Sequence, residues 1–182
     1  MTHVILGLLF AIGPQTIYSL NKFFEAGISL FYAASLGALR QALQRLLAEE
    51  RVTVQELREG GRAKRVYTIT EAGREEFLAW MLGPIEDRRL ETAALSKLYF
   101  LGALPNSTQR RTALASIVDR VREDEAQLLA IAPVVASAEI PEEYLELARY
   151  QRLTLEYGLR THALGREFFE RLLADQTTDG TG

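Results

Sequence analysis

Apolar residues recur at helical spacing along most of the chain, whereas one stretch around position 60 alternates between apolar and polar residues. The apolar run Val4–Ile12 ends at Gly13-Pro14, which predicts a buried first helix with a defined stop. The run has no basic flank and is too short to cross a bilayer, so we interpret it as neither a signal peptide nor a membrane span. An apolar stripe predicts a second helix over Thr16–Ala26, which Gly27 closes in a left-handed conformation.

A third helix is predicted over residues 35–50. Ser35 is a suitable N-cap because its hydroxyl can accept a hydrogen bond from the first turn. Five leucines recur at helical spacing, and we expect all of them to face the core: Leu36, Leu39, Leu43, Leu46 and Leu47.

The periodicity changes after the third helix. Val52–Leu57 and Arg65–Thr70 are rich in β-branched residues and roughly alternating, which predicts two strands. Residues 58–64 between them include Gly60-Gly61 and predict a turn. Helical spacing resumes at Glu71. This order is typical of a winged helix-turn-helix, so the predicted fold class is mostly α with a small two-stranded β wing.

Gly83-Pro84 predicts a domain boundary, which assigns residues 1–83 to the winged helix-turn-helix and residues 84–174 to a helical region. Residues 175–182 are expected to form a disordered tail. Helical segments are predicted over about 91–103, over about 107–136 with Ala132-Pro133 ending or kinking it, and from Pro141 to about 174.

The last predicted helix carries apolar residues on more than one face. A helix that is apolar on several faces is buried on several faces, and a second protomer is the simplest source of the extra surface. We therefore expect a homodimer, with residues 84–174 as its dimerisation and effector region.

Charge and composition exclude few classes of function. The net charge is −3, with nine Lys or Arg against eight Asp or Glu in residues 1–83 and twelve against sixteen in residues 84–182. A near-neutral domain can still bind phosphate if its cations cluster on one face. The absence of cysteine favours a cytoplasmic location, and with only two histidines we expect neither a metal site nor a cofactor.

The third helix carries a polar face opposite its leucines, formed by Arg40, Gln41, Gln44 and Ala48, with Arg45 beside it. Arginine and glutamine make bidentate contacts to base edges in the major groove. A solvated helix face is the alternative interpretation. Because a basic wing follows, we interpret the face as a recognition surface for double-stranded DNA, with Ser35 at its start.

The predicted hairpin carries four cations within eight residues: Arg58, Arg62, Lys64 and Arg65. Such a hairpin can reach backbone phosphates or the minor groove and contribute affinity more than sequence information. The alternative is a soluble hairpin with charged tips. We favour phosphate contact because the glycines permit close approach to the DNA backbone.

We interpret the aromatic residues mainly as packing residues, with a ligand pocket as the alternative for some of them. Tyr18 is expected to be a core or packing residue, with a hydrogen bond from its hydroxyl to a phosphate as the alternative. Trp80, near the predicted domain boundary, and Tyr99 and Tyr157, in the helical region, could instead line a pocket for a small effector. We found no phosphate loop, zinc motif or nucleophile elbow, so no catalytic residue and no enzyme activity is predicted.

Five segments resemble the PadR family of bacterial transcriptional regulators, in its longer branch with a helical C-terminal region. They are Ile5–Leu9, Ile17–Leu20, Ser35–Leu43, Gly61–Gly73 and Ala94–Gly102. The third of these is similar to the family's recognition helix, and the fourth to its wing and the following helix start. Two residues depart from the family pattern: Arg40 stands where tyrosine is common, and Ile17 where glycine is common.

This resemblance implies a homodimeric repressor that occupies an operator and, in many members, is released by a small-molecule effector. Two-fold symmetry predicts an inverted-repeat operator. The alternative from another class is a winged-helix protein–protein interaction module that does not bind DNA.

Overall fold

The structure is a computed structural model that describes residues 1–32, 35–59, 62–87 and 89–178. The side chains of five residues in these ranges are not described: Arg58, Glu59, Arg62, Thr177 and Thr178. The chain divides into two compact units, Met1–Gln109 and Arg110–Gly182.

The first unit contains short strands and helices in the predicted order. They are α1 (Thr2–Ile12), β1 (Gln15–Thr16), α2 (Ile17–Ala26), α3 (Leu36–Ala48), β2 (Val52–Glu59), β3 (Arg62–Ile69), α4 (Glu71–Leu82) and α5 (Leu90–Tyr99). Short 3₁₀ helices follow α2 at Ile28–Leu30 and α5 at Leu101–Ala103. The predicted winged-helix class is confirmed.

The sheet has three strands rather than the two predicted, in the order β1-β3-β2. β2 and β3 form the wing hairpin, in which Val52 lies opposite Ile69 and Glu59 opposite Arg62. The extra strand, β1, pairs antiparallel with β3, placing Thr16 opposite Val66. Two residues are too few to show an alternating pattern, so β1 could not be predicted from periodicity. The predicted turn residues Gly60 and Gly61 lie outside the described residues.

Side-chain caps determine where three helices begin. The Ser35 hydroxyl accepts a hydrogen bond from the Ala38 amide at 3.1 Å, which confirms Ser35 as an N-cap. Thr16 caps α2, and Thr70 caps α4. The expectation for Gly27 was wrong: its φ is −164°, which is extended backbone rather than left-handed.

The core of the first unit is built around α1 and the aromatic ring of Phe77, which is fully buried. Its ring lies 5.0 Å from that of Phe10 and 5.7 Å from that of Phe100. Gly7 permits this packing, since a Cβ there would lie 2.9 Å from the rings of Phe77 and Phe100. The central position of Phe77 explains why α4 returns from the wing onto α1.

Helix α3 buries three of the five leucines predicted to face the core: Leu39, Leu43 and Leu46. Leu47 is half-buried. The expectation for Leu36 was wrong, because it is 40% exposed. It is the first residue of the helix, where the chain has only begun to turn towards the core.

Helix α5 belongs to the compact unit that contains the wing, although we had placed it beyond the boundary at Gly83-Pro84. Phe100, which follows α5, contacts Phe77 in α4. Lys97 is fully buried, and its ammonium group donates a hydrogen bond to the Gly83 carbonyl. Burial lowers the pKa of Lys97 to about 8. The first unit therefore extends to Gln109.

Two long helices make up most of the second unit. They are α6 (Ser107–Ser137) and α7 (Leu145–Thr178), with a 3₁₀ helix at Glu142–Tyr144 between them. Arg122 pairs with Glu170 at 2.6 Å and Arg166 with Glu125 at 2.6 Å, so α6 and α7 run antiparallel.

Two predictions concern the ends of these helices. α6 continues through Pro133 to Ser137, beyond the predicted end near Ala132. α7 includes residues 175–178, which we had assigned to the disordered tail. Residues 179–182 lie outside the described residues, and disorder there stays a prediction.

Within the described ranges, no helix has the length and apolar character that a membrane span requires.

Candidate DNA-binding surface

The polar face predicted for α3 is exposed in the structure. Arg40, Gln41, Gln44 and Ala48 all reach solvent, whereas Leu39 and Leu46 on the opposite side are buried. At about 100° per residue, the four exposed positions fall within about 100° of one another around the helix. The face therefore presents one arginine and two glutamines side by side, a set of donors and acceptors suited to base edges.

A tight turn fixes the wing relative to α3. Glu50 has a φ of 55°, in the left-handed region, and reverses the chain between α3 and β2. The Arg51 amide donates to the Leu46 carbonyl at 2.8 Å, which ties the start of β2 to the last turn of α3. The polar face of α3 and the wing are therefore rigidly connected through three residues of chain.

Two of the predicted DNA-binding cations form ion pairs. Arg45 Nε lies 2.8 Å from Glu49 Oε1, one helical turn away. This hydrogen bond raises the pKa of Arg45 above its ordinary value. Arg65 Nε lies 3.3 Å from Glu56 Oε1 in the facing strand. Both pairs are exposed, and solvent screens exposed ion pairs so that they contribute little, so a phosphate can compete for either arginine.

The other wing cations are partly described. Lys64 is exposed on β3. Arg58 and Arg62 belong to β2 and β3 at the end of the hairpin, and their side chains lie outside the described part of the structure. The DNA-binding role of all four wing residues stays a prediction.

Helix α2 adds two exposed residues to this surface: Tyr18, for which phosphate contact was the alternative interpretation, and Lys22, which was not predicted. Tyr18 is 70% exposed, so the expectation that it packs in the core was wrong. The Lys22 ammonium group lies 5.4 Å from the centre of the Tyr18 ring. The sequence did contain a signal: both positions are two residues before the buried pair Leu20 and Phe24, on the opposite side of the helix.

The three residues suggested for an effector pocket have different surroundings. Trp80 is half-buried and stacks on His3, with ring centres 5.0 Å apart. Tyr99 lines an open groove of about 490 Å³ in the first unit, whose walls include Phe10 and Phe23. Tyr157 belongs to the second unit and is 73% exposed on α7. Trp80 does not line the groove beside Tyr99.

Residues 5–79 match the sequence model of the Transcriptional regulator PadR-like family. These are the residues that form α1, α2, α3, the wing and most of α4. Over this domain, the chain is similar to the PadR-like family of transcriptional regulators. The predicted resemblance is confirmed for residues 5–79, and the prediction of a non-enzyme agrees with a family of regulators.

Several solved structures align with nearly the whole chain at low sequence identity. Bacillus subtilis PadR in complex with operator DNA is 19% identical, with a TM-score of 0.43, covering 96% of this chain and 98% of that chain. The same Bacillus subtilis protein in complex with p-coumaric acid is 19% identical, with a TM-score of 0.42, and the alignment covers 97% of this chain and 94% of that chain. The PadR-like transcriptional regulator BC1756 from Bacillus cereus is 22% identical, with a TM-score of 0.43, and the alignment covers 96% of this chain and 94% of that chain. No curated protein sequence matches this chain significantly.

Proposed function

We propose that this chain represses transcription as a homodimer that binds an inverted-repeat operator. Helix α3 lies in the major groove, and the β2–β3 wing contacts the neighbouring phosphates. The observation that carries the proposal is the exposed face of Arg40, Gln41 and Gln44, held beside a basic wing by the turn at Glu50. A cytoplasmic location is part of the same proposal.

Arg40 allows us to predict one of the bases that α3 contacts. Among the described residues, no carboxylate pairs with it, and it is exposed in the middle of the recognition face. A free guanidinium at this position can make the bidentate contact to guanine that is the commonest specific contact in the major groove. We therefore expect a guanine in each half-site opposite Arg40.

The homodimer is supported by a stripe of exposed apolar residues on α7: Tyr150, Leu153, Tyr157, Leu164 and Phe168. At about 100° per residue, these five lie within a sector of about 60°. A continuous apolar stripe on a 34-residue helix is typical of a surface that another helix covers. We assign this stripe to the dimer interface.

Release by a small effector belongs to the proposal as well. The groove beside Tyr99 supports it, because its walls are largely apolar and aromatic, as in sites for small organic ligands. A compound that binds there and alters the geometry of the first unit should lower the affinity of the dimer for DNA.

The test is selection of bound sequences from a pool of random duplexes, followed by titration of the enriched duplex and of a random one. We expect an enriched inverted repeat, and binding that weakens steeply between about 50 mM and about 200 mM salt. Gln41→Ala and Gln44→Ala should each weaken the enriched duplex by about 1–3 kcal/mol and leave the random duplex nearly unchanged.

Arg62→Ala and Lys64→Ala should weaken both duplexes alike. Gln127→Ala, an exposed glutamine of α6, is the matched control and should bind as the wild type does. Equal effects of all four variants on both duplexes would contradict groove readout by α3. No enrichment and no salt-dependent binding would contradict DNA binding itself and favour the interaction module.

A further inference from the structure

Helix α2 begins beside the wing. Thr16 lies opposite Val66 in the β1–β3 pairing, and the next residue of β3 towards the hairpin end is Arg65. The antiparallel pairing directs the chain after Thr16 towards that end. The first turn of α2, which contains Tyr18, therefore starts at the level of the wing's basic residues.

The outer side of this turn presents Tyr18 and Lys22 together. An aromatic side chain that is 70% exposed on a monomer's surface has gained little from folding, and its hydroxyl is available to a partner. The Lys22 ammonium group lies 5.4 Å from the ring centre, within the range of a cation–π contact. That contact places the ammonium group and the phenol next to each other.

Lys22 is also available for an anion. Among the described residues, no carboxylate pairs with it. Glu25, which follows it by three residues on the same helix, is engaged by the Asn21 amide at 2.7 Å. Lys22 therefore differs from Arg45 and Arg65, which each have a carboxylate partner.

Two of the backbone amides at the start of α2 are already engaged by side chains. The Ser19 amide donates to the Thr16 hydroxyl at 3.1 Å, and the Thr16 amide donates to the Ser19 hydroxyl at 2.9 Å. Both amides are occupied within this capping box. The side chains of Tyr18 and Lys22 are the exposed groups that could hold an anion here.

We propose that Tyr18 and Lys22 form a phosphate-contacting site on α2, in addition to α3 and the wing. The inference rests on the proposed function, since its anion is the DNA backbone. The helix that precedes a recognition helix crosses the backbone in helix-turn-helix complexes, which brings its outer residues to phosphates. Lys22 supplies the charge, and the Tyr18 hydroxyl donates a hydrogen bond to a phosphate oxygen. This site adds affinity without sequence information.

The experiment measures fluorescence anisotropy of a random duplex and of the enriched duplex with Lys22→Ala, Lys22→Arg and Tyr18→Phe. Lys22→Ala should weaken both duplexes on the order of 3- to 10-fold and lower the salt slope by about 1. Lys22→Arg should retain the wild-type slope. Tyr18→Phe, which keeps the ring, should weaken both duplexes about 2- to 10-fold with the slope unchanged. Both positions are exposed, so the thermal midpoints of all three variants should match the wild type.

The outcomes separate the two proposals. Wild-type binding that persists unchanged in Lys22→Ala would overturn the site on α2 while leaving the proposed function intact. Tyr18→Phe with wild-type affinity would overturn the role of the hydroxyl. A loss confined to the enriched duplex would overturn phosphate contact in favour of base contact. A wild-type chain with no salt-dependent affinity for either duplex would instead contradict the proposed function.

Discussion

Gly73, in the first turn of α4, is the residue at which we expect a single methyl group to cost the most. A Cβ built at this position lies 2.2 Å from the carbonyl oxygen of Arg51 and 2.9 Å from Cγ1 of Ile69. Ordinary contact begins at 3.4 Å, so α4 and the start of β2 would have to separate by more than about 1 Å. The neighbouring atom is backbone, which cannot rotate away.

The hydrogen bonds around Thr70 would be lost in that separation. The Thr70 amide and hydroxyl each donate to the Arg51 carbonyl at 3.0 Å, and the Thr70 hydroxyl accepts from the Gly73 amide at 3.0 Å. Loss of the N-cap costs about 1 kcal/mol, loss of a backbone hydrogen bond about 1 kcal/mol, and overpacking about 1–3 kcal/mol. The higher helix propensity of alanine offsets about 1 kcal/mol of this loss. The net destabilisation of Gly73→Ala is therefore about 2–4 kcal/mol.

Thermal unfolding at one fixed protein concentration measures this effect. For a chain of this length, the midpoint should fall by about 5–15 °C. Gly37→Ala is the matched control, because Gly37 is also in the first turn of a helix and a Cβ there meets only the Ser35 hydroxyl, at 3.7 Å. We expect Gly37→Ala to match or slightly exceed the wild-type midpoint. A Gly73→Ala midpoint equal to that of Gly37→Ala would refute the steric argument.

Two further predictions concern pH and assembly. His3 stacks on Trp80, and burial lowers its pKa to about 4, although Glu76 lies 3.7 Å away and is itself paired with Arg51. The unfolded chain therefore takes up this proton first as the pH falls below 6.5, and the folded state loses stability between 6.5 and 4. His3→Phe keeps the stacking, so its thermal midpoint should fall less than that of the wild type from about pH 7 to about pH 5, and an equal fall would show that His3 contributes nothing. Leu164→Glu places a charge in the apolar stripe of α7 and should convert the dimer to a monomer at micromolar concentration in sedimentation equilibrium, whereas Gln151→Glu, outside the stripe, should stay dimeric. A monomeric wild type, or a dimeric Leu164→Glu, would contradict the assigned interface.

Local sequence signals predicted the helices and their caps well. Ser35 was predicted as an N-cap and caps α3, whereas Thr70, which caps α4 in the same way, was not named in advance. The exposed face of α3 followed from the same periodicity, because Leu39, Leu43 and Leu46 fix the buried side.

The errors arose where tertiary contacts decide the structure. α5 resembles any other amphipathic helix in the sequence, and only the contact of Phe100 with Phe77 places it in the unit that contains the wing. The strand Gln15–Thr16 exists because β3 offers an edge to pair with. Leu36 fits the leucine pattern but lies at the helix start, where periodicity does not report burial.

Ion pairing on the proposed DNA surface limits the affinity that its cations can provide for any DNA, in a chain of net charge −3. Glu49 and Glu56 compete with phosphate for Arg45 and Arg65, so each phosphate contact there gains less than a free arginine would provide. Binding to arbitrary DNA depends almost wholly on such contacts, whereas the operator also offers base edges to Arg40, Gln41 and Gln44. Because both kinds of duplex offer the same phosphates, weakening these contacts lowers both affinities by about the same factor, and the base contacts alone set the selectivity. We therefore expect the carboxylates beside the recognition surface to keep binding to arbitrary DNA weak without changing selectivity, and the second protomer to supply the affinity that they remove.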